Sequence, residues 1–159
     1  MANDGGMIAK LEQWFADVLA AMTNGGVKVF DTAKVWRHQV GVTEGGLEAF
    51  ERYAPFAFPG FVSDEAAREG DNDLRRVLEF AILVGVTSKS DGDARTGTAT
   101  DLGVSKIVDL VIAAFDQQHP GEEFTCDPVY YTSTIEALVA PKKYAVEMRF
   151  EVSYIATTS

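Results

Sequence analysis

"LRRVLEFAILVGVTS", residues 74–88, decides what kind of molecule this chain builds. Leu74, Leu78, Phe80, Ile82, Val84 and Val86 share one side of a period-two pattern, so the stretch is expected to be a long strand with that side in the core. The other side carries Arg75, Val77, Glu79, Ala81, Leu83, Gly85 and Thr87, polar at one end and apolar in its middle. A face wetted along its whole length has no use for that apolar middle, so a cover or a partner is expected there.

Outward from this strand, two more strands are expected near the C-terminus, at 129–140 and 144–155, joined through Pro141, Lys142 and Lys143 as a hairpin. In the last of them Tyr144, Val146, Met148, Phe150, Val152 and Tyr154 face one way. Ala145, Glu147, Arg149, Glu151 and Ser153 face the other. Two amphipathic helices complete the pattern. The first runs over 8–22, with Ile8, Leu11, Phe15, Val18, Leu19 and Met22 at helical spacing, and stops at Asn24-Gly25-Gly26. The second is expected to start from a Thr98 or Thr100 cap and reach about 115, with Val104, Ile107, Val108, Val111, Ile112 and Phe115 as its stripe.

Short strands are expected at 27–30 and 35–40, a short helix at 47–53 and an aromatic strand around 55–62. The span 42–73 carries eight acids against Arg52 and Arg68 alone, so most of it reads as exposed connection around that aromatic strand. The expected fold is α+β: a mostly antiparallel sheet with two helices packed on one face, in a single domain over 7–155. Residues 1–6 are expected to form a flexible lead and 156–159 a tail.

Composition narrows the function classes. Twenty-four acidic residues against fourteen basic ones give a formal net charge of -10, which opposes general binding to nucleic acid and favours protein partners. No apolar run approaches the length of a membrane span, and the first residues lack the features of a signal peptide, so a soluble protein made in the cytosol is expected, with no membrane partner. Cys126 is the single cysteine and fits a reducing compartment; with His38 and His119 it has no metal-ligand spacing, so neither metal nor cofactor is expected.

The segment "VTSKSDGDARTGTATDLG", 86–103, places Gly92 and Gly97 at the spacing of a phosphate-binding loop. Thr98 then stands where that loop needs lysine, Ala99 where it needs a hydroxyl, and Asp91 and Asp93 would repel phosphate. "HPGEE", 119–123, offers His119, Glu122 and Glu123 for acid-base work but no nucleophile, and reads better as a solvated turn. No catalytic residue is therefore assigned. In "DLRR" the side chains of Arg75 and Arg76 point to opposite faces and cannot grip one anion; an ion pair with Asp73 or Glu79, within the chain or between chains, is expected instead. Phe56, Phe58, Phe61, Tyr130 and Tyr131 suit core packing better than a ligand pocket, and Trp14 lies off the main stripe of its helix, suited to packing on another element or chain.

Taken in order, "PFAFPGFV" (55–62), "LRRVLEFAILVGV" (74–86), "GDARTGTATDLGVSKIVDLV" (92–111) and "CDPVYYTS" (126–133) resemble the tail-terminator, or tail-completion, proteins of Mu-like phages and prophages. The resemblance spans about residues 7–155 and rests on order and spacing, since none of these stretches is a catalytic signature; residues 41–53, with Gly45 and Gly46, have no place in it. It implies a non-enzymatic α+β subunit that forms a homohexameric ring at the end of the tail tube, stops tube growth and meets the head-neck complex. It also implies assembly in the host cytoplasm and residence in the virion tail. Contacts to other copies, tube and neck proteins are expected from Arg75, Glu79 and Leu83 on the sheet and from Asp91, Asp93 and Arg95 in the loop 89–99, which is expected to become ordered on contact. The competing expectations are a small-molecule enzyme or binding domain using the open sheet face, and a monomeric adapter joining two proteins.

Overall fold

The computed structural model describes residues 6–37, 50–68, 70–87, 96–97, 102–140 and 142–157. Helix α1 (Gly6–Ala21) leads into β1 (Thr23–Asn24), β2 (Val27–Lys28) and β3 (Thr32–Ala33). Two long strands follow, β4 (Phe56–Arg68) and β5 (Asp73–Thr87), then helix α2 (Val104–Phe115), then β6 (Tyr130–Ala140) and β7 (Lys143–Thr157). The main sheet has the order β3-β4-β5-β7-β6, antiparallel throughout except for the parallel β3–β4 pair. The fold is α+β, with both helices on one face of a mostly antiparallel sheet.

The alternation of β5 and β7 builds the core directly. Leu78, Phe80, Ile82, Val84 and Val86 of β5 lie opposite Val152, Phe150, Met148, Val146 and Tyr144 of β7, and all ten are buried. Against them α1 places Leu11, Phe15 and Leu19, and α2 places Val104, Ile107, Val111 and Phe115. Trp14 leans edge-on against Phe115 at 5.3 Å and so packs one helix on the other. Such layering is the economical solution for a sheet face and two helical stripes that all need covering.

Gly25 and Gly26 have φ of +61° and +84°, which permits the two-residue turn of the β1–β2 hairpin. That hairpin is displaced from the expected strand at 27–30: Val29 and Phe30 lie past its end, buried in the core, with the Val29 N–H donating to the Met22 carbonyl. The expected strand at 35–40 is not formed by its described residues, 35–37. The chain there runs along β4, with Lys34 and Trp36 N–H groups donating to the carbonyls of Ala57 and Pro59. Of the expected helix at 47–53, residues 50–53 are helical and the rest lie outside the described residues.

The expected connection over 63–73 is corrected. Strand β4 continues to Arg68, pairing Ser63 through Arg68 with Glu79 down to Leu74. Backbone pairing holds this end, since its side chains are mostly exposed on both faces and therefore leave no apolar alternation in the sequence. Helix α2 is also shorter than expected. It begins at Val104 behind Gly103, which makes no side-chain cap; Thr98 and Thr100 lie outside the described residues.

The second face of the sheet is partly covered by the chain itself. Phe56, Phe58 and Ala145 form a separate buried cluster with Phe50, and Trp36, Tyr53, Ala54, Leu83 and Leu138 pack against it. Phe56 and Phe58 stack at 4.7 Å, and Phe50 meets Phe56 edge-on at 4.8 Å. The apolar middle of β5 thus finds its cover in residues 36 and 50–54.

Candidate interaction surface

Beyond the aromatic cluster the second face opens. At its centre Arg149 on β7 donates to Glu79 on β5 at 2.9 Å and to Glu147 at 2.8 Å, while Ser63 Oγ donates to the other oxygen of Glu79 at 3.2 Å. Hydrogen bonding to Glu79, then to Glu147, holds the Arg149 guanidinium above its ordinary pKa. These groups are partly exposed, so the network fixes cross-strand register more than it adds stability. Glu79 therefore stands where expected, on the open face, but already engaged by Arg149.

The other expected contact residues divide. Arg75 pairs with Asp127 at 3.2 Å, because the 126–129 segment folds beside the end of β7, where the Asp127 N–H donates to the Ser153 carbonyl. Leu83 turns into the chain's own aromatic cluster and is half-buried there. Asp91, Asp93 and Arg95 lie outside the described residues, as does most of the loop 89–99. Arg76, on the helix side of the sheet, bonds Asp64 and the Tyr154 hydroxyl and lies over the Tyr154 ring. Its pKa is raised chiefly by the Asp64 hydrogen bond.

"HPGEE" is a structural turn. His119 Nε2 donates to the Cys126 carbonyl at 2.8 Å, and Nδ1 accepts the Gly121 N–H at 3.1 Å, so both ring nitrogens serve the backbone. Burial, with help from Asp127, raises the Cys126 thiol pKa and keeps it a poor nucleophile. His119→Ala is expected to cost about 1 kcal/mol and to speed amide exchange at Gly121, because two backbone groups lose their partner. Unchanged exchange at that amide would refute the role given to the ring. Among the described residues no group of three or more His, Cys, Asp or Glu is placed to hold a metal ion, and no helix is long and apolar enough to cross a membrane.

Three well-exposed large apolar side chains gather on one sheet margin. Tyr130, Ile135 and Val139, at 50, 53 and 64% exposure, all belong to β6, which has β7 on one side and, among the described residues, no strand on the other. Over its eleven residues β6 bears one charge, Glu136. Among the described residues, only its start is closed off, where the Tyr131 N–H donates to Asp116 at the end of α2. The opposite margin is better defended: residues 31–36 run along the first half of β4, and Glu12 of α1 accepts the Phe61 N–H. The low charge of 130–140 is visible in the sequence, but that this strand forms an edge is not. No protein-family model matches the chain, and a comparison with curated proteins finds no match.

Proposed function

We propose that the protein is a structural subunit of a phage tail, a terminator that closes into a hexameric ring on the end of the tail tube, stops its growth and meets the neck proteins. It acts without bond chemistry, assembling in the host cytoplasm and remaining in the virion. The observation that carries this reading is the open, charge-poor edge of β6, since edge strands of this length are normally shortened, charged or covered in proteins that remain alone. The resemblance of ordered sequence stretches to tail-completion proteins supports this choice of assembly.

A ring needs two different patches on each subunit, meeting head to tail. The margins of this sheet differ in that way, one apolar and the other charged. Light scattering coupled to size exclusion is expected to give the mass of six protomers at high protein concentration. A single-protomer mass at every concentration, together with binding of a metabolite, would support a ligand-binding domain instead; single protomers that bridge two proteins would support an adapter.

A further inference from the structure

Resting on the ring reading, we propose that the ring is joined through the main chain, the open edge of β6 in one copy pairing antiparallel with the outer edge of β4 at residues 62–67 in the next. Both edges are free of backbone partners among the described residues: β6 beyond its Asp116-capped start, and β4 beyond Phe61. The two open stretches are of similar length, 133–140 and 62–67.

Direction agrees as well. In the order β4-β5-β7-β6 every neighbour is antiparallel, so β6 runs opposite to β4 within one subunit. Rotation about a ring axis keeps each strand's sense along that axis, so β6 of one copy also meets β4 of the next antiparallel. The open part of β6 lies beside residues 143–149 of β7, whereas the open part of β4 lies at the level of 151–155. That stagger of about seven residues, roughly 24 Å at strand rise, spread over four strands at about 4.8 Å, inclines the strands by roughly 50°. Closed barrels incline theirs by about 35–45°, so a closed ring demands little adjustment.

Charge points to the same joint. Copies carrying a net charge of -10 repel, and β6 is the edge with least charge to bring to a meeting. On β4 Asp64 is neutralised by Arg76, which leaves Glu65 and, across the joint, Glu136. Moderate salt is therefore expected to strengthen the ring.

Ile135→Lys with Val139→Lys tests the joint, because both side chains are exposed in the single protomer and their replacement leaves its fold and melting temperature unchanged. The expected result is a fall from six protomers to one, with at least a tenfold higher concentration needed for assembly. Cross-linking gives the partner edge. In a Cys126→Ser background, Ile135→Cys is combined in turn with Ser63→Cys, Glu65→Cys and Ala67→Cys, which share its face of the sheet. A ladder of cross-linked species up to the hexamer, seen only when both cysteines are present, supports the joint. A hexamer indifferent to the lysines overturns the joint while leaving the ring reading intact. A cross-linked dimer from Ile135→Cys alone overturns it in favour of a two-fold β6–β6 contact, and a wild-type chain that never associates overturns both.

Discussion

Gly85→Val is expected to destabilise the protein by about 3 kcal/mol or more, although valine is a better strand former than glycine. Gly85 faces the second side of the sheet, directly across from Phe56. A Cβ there would stand 2.2 Å from the end of the Phe56 ring and 2.8 Å from that of Phe50, so both rings would have to leave. Phe56 is held in a stack with Phe58 and in an edge contact with Phe50, and displacing the two rings uncovers the cluster that residues 36 and 50–54 close. The urea midpoint gives the loss, and a rise in apolar dye binding reports the uncovered face. Gly85→Ala combined with Phe56→Leu should recover part of the loss, with a clear interaction energy in the double-mutant cycle. Gly70→Ala, where a Cβ meets nothing within 4 Å, serves as the control and should be near neutral. A Gly85→Val protein as stable as the wild type would show that the aromatic cover is not seated on that glycine.

Phe15→Ala should cost about 3–5 kcal/mol, a large share of the roughly 5–15 kcal/mol that holds a domain together. The ring is fully buried and joins every layer: 5.3 Å from Phe80 on β5, 5.9 Å from Phe150 on β7 and 4.9 Å from Phe115 on α2. Removing it leaves a cavity that no single neighbour can fill, because each of those rings is pinned by its own strand or helix. Both the urea midpoint and the thermal midpoint should fall, and ring assembly should weaken only in proportion to the unfolded fraction. A loss below about 1 kcal/mol would mean that α1 is not seated on the sheet as described.

The layers were legible in the sequence wherever one face of an element is buried and the other wet. That is why β7, α1 and the core side of β5 could be read from Phe150, Leu11 and Ile82 and their neighbours. The far end of β4 could not, because Asp64, Glu65 and Ala66 are exposed on both sides and their strand is held by backbone pairing and by polar bonds such as Asp64–Arg76, which leave no apolar alternation. Arg149 and Glu79 lie seventy residues apart and meet only because the β5–β7 register brings them together. Gly85 could be placed on the second face, but the reason for a glycine there appears only once Phe56 lies over it. Of the surface itself, the scarcity of charge in β6 was visible; its position at the sheet margin depends on strand order, which local pattern does not encode.

Concentrated wild-type protein viewed by negative-stain electron microscopy tests the central claim most directly, that this chain works by joining copies of itself into a ring. Closed rings of one diameter with six-fold symmetry are expected, and they should vanish in the Ile135→Lys, Val139→Lys variant. A field of single small particles, or of two-fold dimers, would contradict the claim.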